Sequence, residues 1–426
     1  MNFLRRLFDY NCEEFNTHYE IKCIILGIKI KKRIKKKLQT NVSKEQILNF
    51  FYVKDKKDFV EITETKYNNA NEIKPIAFYL PQFHSIPLND KFLGRGFTEW
   101  TNVTKTLPQF FGHYQPHLPI DVGFYDLSTD KVMYRQIELA KMYGIYGFCF
   151  YYYWFSGGKR LLETPIFNYL NNKDLDLPFC LCWANESWKG QWDGGNKKVM
   201  MEQEFSYEDC DKFFFDILPF LQDKRYIKIE NKPLLIIYNP CLFKQEETTY
   251  FVDRIRQLAR ENNIGELKIL GAKVFGNSDS TVFNMDASVE FYPNSFEKLN
   301  EVDLKNTILN KNFKSKVFDM EDAINNKKFL PEVSYPMYKT IFPYWDNSAR
   351  KAIQGGWVFQ STPELYKKWL KDIIDWTRKN HKEGDRYVFI NAWNEWAEGA
   401  HLEPDQKYGY AFLEATKEAL EETAKE

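Results

Sequence analysis

The chain predicts an α/β protein, a (β/α)8 or TIM barrel preceded by a short basic N-terminal extension. Two features of the sequence point there. From Lys74 onward eight short apolar runs recur, separated by segments of helical periodicity, the pattern of βαβ units around a parallel sheet. Polar and aromatic residues gather at the C-terminal end of nearly every run, where a barrel keeps its chemistry. No G-x-G-x-x-G or Walker-type loop follows any run, which argues against a nucleotide fold.

The runs can be taken in order. PIAFYLPQF, from Pro75, ends at Tyr79, Gln82 and His84 and opens a long loop with Glu99, Trp100, His113 and His117. YGFCFYYYW, from Tyr146, ends in Tyr153 and Trp154; PFCLCWAN, from Pro178, leads to Trp183, Asn185 and Glu186. PLLIIYNP, from Pro233, supplies Tyr238. LKILGAKV, from Leu267, is the least strand-like of the eight. DASVEFYP, from Asp286, supplies Glu290, and an insertion is expected over Phe296 to Leu330. KTIFPYWD, from Lys339, delivers Trp345 and Asp346, with Arg350 just beyond. RYVFINAWN, from Arg386, runs into the densest stretch of all, FINAWNEWAEGAHLEPD, with Trp393, Asn394, Trp396 and His401 among four carboxylates. Between the runs lie amphipathic helices such as DKVMYRQIELAKMYG and PELYKKWLKDIIDWTRKN. Tyr79, Trp100, Tyr153, Trp183, Glu186, Tyr238 and Glu290 are expected to line one cleft with Glu395 and Glu398.

Composition narrows the function. Lys+Arg and Asp+Glu both number 59, so the bulk charge of a nucleic-acid binder is missing. Aromatic residues make up 17% of the chain and eleven are Trp, many beside carboxylates and Asn. Flat apolar faces next to fixed polar groups suit sugars. The seven Cys show no framework spacing, and Cys180 and Cys182 alternate inside a strand as core residues do, which fits a reducing compartment. No apolar window reaches the ~18 residues of a membrane span, and the N-terminus lacks a signal-peptide core. A cytoplasmic location is expected.

Residues 1–45 form a basic segment, 46–72 a polar linker, and 73–426 the catalytic domain. Within the first, residues 21–38 interleave Ile and Leu with the Lys/Arg run Lys29 to Lys37. That composition is equally a solvated tail or a peripheral anchor on anionic lipid at the inner face of the cell membrane.

Glu395 and Glu398 stand three residues apart. On an extended strand they would point to opposite faces, whereas a helical turn after Asn394 makes them neighbours, with Cβ atoms about 5–6 Å apart. Two crowded carboxyls have pKa values pushed apart, so one serves as acid and the other as base, as in a retaining glycosidase. The structural alternative is a helix N-terminus capped by Asn394.

With IAFYLPQFH, GFTEWTNV, GHYQPHLP, YGIYGFCFYYYWF, CLCWANESW, WDNSAR and WNEWAEGAHLEP, the chain resembles the WbsX-type glycosyltransferases, over about Ile73 to Ala415. That family is itself similar to glycoside hydrolase family 99, the endo-acting α-mannosidases and mannanases. The resemblance implies a (β/α)8 barrel, retention of configuration and a sugar 1,2-anhydro intermediate. Glu395 would then deprotonate the 2-hydroxyl and Glu398 protonate the leaving oxygen. Ala397 stands where the hydrolases carry His. The expected substrate is an oligosaccharide or lipid-linked sugar of a bacterial surface polysaccharide such as O-antigen. No cofactor and no metal are expected, because Pro116 and Pro119 deny His113 and His117 a helical ligand spacing.

Overall fold

A computed structural model describes residues 58–68, 71–189, 199–274, 279–294, 299–351 and 355–424, together with the backbone of three N-terminal strands. The chain divides into two compact units, Met1–Lys54 with Asp303–Ile308, and Asp55–Val302 with Leu309–Glu426. In the first, Phe8–Glu14, His18–Ile25 and Ile28–Lys35 form an antiparallel meander. The side chains of residues 21–38, and with them the anchor reading, lie outside the described residues. Among the described residues no helix is long and apolar enough to cross a membrane.

The second unit is the barrel. Its strands are β1 (Lys74–Tyr79), β2 (Gly147–Phe155), β3 (Phe179–Trp183), β4 (Lys232–Ile237), β5 (Lys268–Lys273), β6 (Ala287–Glu290), β7 (Met337–Tyr338), β8 (Thr340–Ile341) and β9 (Tyr387–Ile390). They run parallel in the order β7-β6-β5-β4-β3-β2-β1-β9-β8. The two ends of that list are neighbours in sequence, separated by Lys339 alone. One broken strand therefore pairs with β6 on one side, Ser288 opposite Met337, and with β9 on the other, Thr340 opposite Phe389. Eight staves close the barrel. The least strand-like run is β5, fully paired with β4 and β6.

Helices labelled here are α1 (Glu99–Lys105), α2 (Lys131–Met142), α3 (Thr164–Asn171), α4 (Tyr207–Leu221), α5 (Gln245–Glu261), α6 (Ser348–Lys351), α7 (Pro363–Asn380) and α8 (Ala411–Glu422). Local chemistry starts them. The Ser206 hydroxyl accepts from Asp209 N at the head of α4, and Thr362 accepts from Leu365 N at the head of α7, which has Pro363 in its first turn. In α7 the residues Tyr366, Trp369, Leu370, Ile373 and Ile374 share one buried stripe.

Continuous apolar strands such as GFCFYYYWF bury both faces, as a parallel sheet under helices requires. Their alternation still sorts the side chains. Phe78, Tyr151, Phe291 and Phe389 meet inside the barrel, with Phe78 ring centroids 5.7, 5.1 and 5.8 Å from the other three. Their chain neighbours face the helices.

Two departures from the sequence reading concern the far end. The seventh run does not continue as one strand to Trp345 and Asp346. Those residues leave the barrel and join a small sheet with Trp357–Phe359 and with Lys316–Phe318 from the predicted insertion. Residues 58–68 and 71–72, read as linker, lie along the barrel. Val60 exchanges backbone hydrogen bonds with Tyr408 and Tyr410, and Glu72 pairs with Arg378 at 2.8 Å and Arg386 at 3.0 Å.

Closure is marked by a buried ion pair. Lys339 Nζ meets Glu290 Oε1 at 2.7 Å, both side chains essentially inaccessible, and lies 4.8 Å from the Trp376 ring of α7. Removing one partner of such a pair leaves a buried charge and costs about 3–5 kcal/mol, whereas replacing both by apolar residues is close to neutral. Lys339→Met is therefore expected to lower the urea midpoint sharply, and Lys339→Met with Glu290→Leu to recover most of the loss.

Candidate active site

The dense stretch after β9 is built around one turn. Asn394 does not cap a helix. Its Oδ1 accepts from Leu80 N at 2.7 Å, and its Nδ2 donates to Leu80 O and the Tyr125 hydroxyl, both at 3.1 Å, which stitches the end of β9 to the end of β1. Asn394–Glu395 then pairs with Ala400–His401 across a 3-10 turn, Trp396–Glu398. Glu395 precedes the turn and Glu398 ends it, and both side chains reach toward the same guanidinium. Gly399 closes it at φ 63°, and a Cβ there would meet Tyr344 Cδ1 at 3.2 Å and Asp346 N at 3.3 Å. The turn thus presses on the segment that carries Asp346 and, four residues on, Arg350.

Arg350 faces three carboxylates. Its Nη1 donates to Glu398 Oε1 at 2.8 Å and its Nη2 to Glu99 Oε2 at 2.6 Å, while Glu395 Oε2 lies 3.8 Å from Nη2. Glu99 comes from the first turn of α1. Arg350 sits on α6, whose start is tied down by Ser348 N donating to Asp346 Oδ1 at 2.8 Å. Gln115 Nε2 donates to Asp346 Oδ2 at 2.6 Å, and His113 Nε2 contacts the same oxygen at 2.6 Å. Because Gln109 N donates to His113 Nδ1, the proton of that ring is on Nε2. Burial works to raise the Asp346 pKa, but His113, Ser348 and Gln115 together hold it below the usual range. For Glu395 and Glu398 burial prevails. Glu395 is pushed well above the usual carboxylate range, by burial first and by the Glu398 charge second. Glu398 is also raised by burial, with Arg350 pulling against it.

Strand parity decides which predicted residues join this group. Tyr153 points inward, accepts from Gln82 Nε2 at 2.8 Å, packs on Trp188 at 5.1 Å, and has its hydroxyl pKa raised by burial and by the Glu395 charge. Tyr238 also points inward, 5.0 Å from Phe291, and feels Glu186 and Glu398. Glu186 accepts from Asn239 Nδ2 at 3.2 Å, and burial raises its pKa. Trp100 braces the turn itself, 5.7 Å from Trp396, with its Nε1 donating to Tyr125 O.

Three of the expected lining residues, Tyr79, Trp183 and Glu290, face the other way, as does the candidate Trp154. Tyr79 donates to Gln136 Oε1 of α2 at 2.8 Å. Trp154 and Trp183 pack on Phe213 of α4, and Trp183 also on Phe251 of α5. Glu290 belongs to the closing ion pair. Each sits one residue away from an inward neighbour, so period 2 sends it into the helix layer. Asn185 is structural, exchanging hydrogen bonds with the Asn239 backbone at 2.7 and 2.8 Å. His84 Nδ1 bonds Pro81 O at 3.0 Å within the long loop. Trp345 is buried in the small sheet rather than standing at a strand end.

Glu403 was missed by the sequence reading although it lies in the same stretch. Trp393 Nε1, Trp396 Nε1, Gln136 Nε2 and the Tyr125 hydroxyl all donate to it, at 3.1, 2.6, 2.6 and 2.9 Å. The signal available was a carboxylate beside two Trp that need buried acceptors. Among the described residues one group has the composition of a metal site, His117, His401 and Asp405. Its geometry is that of a hydrogen bond. His117 Nδ1 and His401 Nε2 are 2.8 Å apart, closer than the roughly 3.3 Å of two nitrogens on one tetrahedral zinc. His401 Nδ1 donates to Glu403 O, its ring stacks on Trp396 at 3.7 Å, and burial lowers its pKa to about 3. His401 therefore backs the turn as a neutral ring.

Carboxylates, a guanidinium and aromatic rings thus gather at the C-terminal rim of a parallel barrel, the end at which barrel enzymes keep their chemistry. The chain belongs to the WbsX glycosyltransferase family, whose sequence model matches residues 75–416. It is 43% identical over 345 residues to the uncharacterised protein WxcX of Xanthomonas campestris pv. campestris, in strain B100 and again in strain ATCC 33913. The match takes in 81% of this chain and 49% of that relative, so the chain spans about half the length of the curated relatives it matches. Among solved structures it is similar to a glycoside hydrolase-like protein, with TM-score 0.53 at 14% identity over 86% of this chain and 98% of that one. It is also similar to the GH99 endo-alpha-mannosidase of Bacteroides thetaiotaomicron, with TM-score 0.51 at 12% identity over 82% and 96%. At such identities the likeness is one of fold.

Stability should carry the mark of Glu403, whose pKa burial raises to about 7, and of Asp405, raised to about 6. A carboxyl raised in the folded state stabilises it at low pH and loses that contribution as pH climbs through the folded value. His401, lowered to about 3, acts in the opposite sense but only below the ordinary His range. Relative to Glu403→Gln, the wild type is thus expected to lose melting temperature between about pH 4.5 and 7 and to level off above that. Thermal scans across this window provide the check.

Proposed function

We propose that the barrel makes or breaks glycosidic bonds with retention of anomeric configuration, Glu395 and Glu398 acting as an acid/base pair. One carboxyl protonates the leaving glycosidic oxygen while its neighbour takes the proton of the sugar's own 2-hydroxyl, whose oxygen closes on C1. The acceptor then opens that 1,2-anhydro ring from the opposite side, giving its proton to the first carboxylate while the second returns one to the 2-oxygen. The observation that carries this reading is the turn itself, which brings two carboxyls, Glu395 buried and Glu398 partly exposed, within 4 Å of one guanidinium. A binding module has no use for so crowded a pair. Tyr153, Trp188 and Tyr238 supply rings against which a sugar face stacks, and Glu186 with Asn239 offers hydrogen bonds to hydroxyls. Family membership supports a transferase role in building bacterial surface polysaccharide, on free or lipid-linked oligosaccharide. The fold likeness to an endo-alpha-mannosidase supports hydrolysis as the second reading, since the same pair serves either acceptor.

General acid/base groups contribute about 10²–10⁴-fold to rate. Incubation with a panel of free and lipid-linked oligosaccharides, read by mass spectrometry, is expected to give sugar products with the wild type. Glu395→Gln and Glu398→Gln should each lose them by about that factor, and Trp183→Phe in the helix layer should not. Equal product from all four proteins would rule out the pair as catalytic.

The basic segment 21–38 supports a peripheral position on the cytoplasmic face of the membrane. Attraction to anionic headgroups is salt-sensitive. Full-length protein is expected to sediment with anionic vesicles at low salt and to be released at high salt. A chain beginning at Asp55, which keeps the Val60 and Glu72 contacts, should stay in solution. Equal sedimentation of the two chains would rule out the tether.

A further inference from the structure

We propose that the chain meets anionic lipid along one edge of its N-terminal sheet, through a single row of basic residues on the Ile28–Lys35 strand. The opposite, apolar face of the sheet takes no part. This rests on the membrane reading above and names the surface that makes the contact.

Successive residues of a strand belong to opposite faces, and residues directly opposite on neighbouring strands share one. In the meander Phe8–Glu14 is one edge, His18–Ile25 the centre and Ile28–Lys35 the other edge. Pairing sets Lys29 opposite Ile24, Lys31 opposite Lys22, Arg33 opposite Glu20 and Lys35 opposite His18. On that face every position of the third strand is therefore basic. Further across, Asp9 pairs with Ile24 and Glu13 with Glu20. The other face takes Ile28, Ile30 and Ile34 of the same strand, with Lys32 its single basic residue there. What reads in the sequence as one mixed run of Ile and Lys is sorted by the backbone into an apolar face and a basic row.

The row fits a plane of headgroups. Alternate strand positions lie about 6.8 Å apart, so its four charges form a straight line roughly 20 Å long. Lys22 stands directly opposite Lys31, a like-charge pair that destabilises a sheet by itself and is relieved when anions lie against it. Asp9 and Glu13 sit on the far edge, two interstrand spacings or about 9.6 Å away. That is roughly a Debye length at physiological salt, so the two acids are largely screened from a surface met by the third strand. A nucleic acid is the other common polyanion, but Phe8, Tyr10 and Tyr19 fall on the apolar face, and the basic row has no ring on which an unpaired base could stack. Each basic residue near an anionic membrane is worth about fivefold in affinity, and the row of four about 10²–10³-fold. Lysines on an edge strand also guard against edge-to-edge pairing. That role alone predicts no protection of these lysines by lipid.

The test is a footprint on the intact chain. Its lysines are acetylated with and without vesicles of phosphatidylglycerol and phosphatidylcholine at low salt, and the products are read by mass spectrometry. Lys29, Lys31 and Lys35 are expected to react several-fold more slowly with vesicles present, and Lys32 at an unchanged rate. The joint change Lys29→Gln, Lys31→Gln, Arg33→Gln and Lys35→Gln should weaken vesicle affinity by about 10²–10³-fold. An equal loss of charge through Arg6→Gln, Lys32→Gln, Lys36→Gln and Lys37→Gln should weaken it by no more than about tenfold. Lys29→Arg, Lys31→Arg and Lys35→Arg together should bind as the wild type does. If the first Gln set fails to fold, the footprint on the wild type still decides. Equal losses from the two Gln sets, or equal protection of Lys32, would overturn the proposal, because a solvated tail binds by charge count alone. So would tighter retention on duplex DNA than on vesicles at the same salt. A wild type that does not sediment with vesicles defeats the membrane reading itself. One that binds with a footprint on both faces defeats only this inference.

Discussion

At the base of the rim the Glu403 carboxylate collects hydrogen bonds from two indoles, an amide and a phenol, which come from the turn, from α2 and from the long loop after β1. An indole has one donor and no acceptor, so a buried Trp is satisfied in few orientations. Trp393 and Trp396 bracket Glu395 in sequence, and fixing both rings fixes the backbone between them. Gln136 in turn accepts from Tyr79, which ties the same knot to β1. The turn after β9 is short and makes few backbone hydrogen bonds of its own. It is held by what lies beneath it.

Among the described residues the buried carboxylates follow one rule with one exception. Glu290 has Lys339, Asp346 has His113 and Gln115, and Glu99 and Glu398 have Arg350. Each carboxylate withdrawn from water is answered by a donor, because an unanswered one costs several kcal/mol. Glu395 is the exception, with one oxygen buried and unmatched. Functional sites are where such violations are tolerated, and this one lies where the sequence had already concentrated its costly groups. The residues behind it, from Gly399 through Asp346 to α6, serve to keep Arg350 at its distance.

The eight apolar runs carried the barrel legibly, because strands buried on both faces leave an unmistakable trace in composition. The E-x-x-E spacing with its flanking Trp likewise announced a turn that brings two carboxyls together. What misled was treating the end of a strand as a single place. Tyr79, Trp154, Trp183 and Glu290 stand at strand ends, yet each is one residue out of phase with an inward neighbour. Period 2 was available in the sequence, but the phase was not, since in a strand apolar on both faces either parity reads the same.

By itself, then, the sequence determined the fold class, the order of the staves and the stretch in which costly polar groups are concentrated. Those follow from local patterns, repeated hydrophobic runs and a motif seventeen residues long. Tertiary structure alone decided that one strand breaks at Lys339 to close the ring, and that Asp346 arrives on a small sheet shared with the insertion, with Arg350 on the short helix that follows. It also decided that Glu99, 251 residues from Arg350, shares its guanidinium. Such meetings depend on how the chain closes on itself. No local preference encodes which distant carboxylate a buried cation will find.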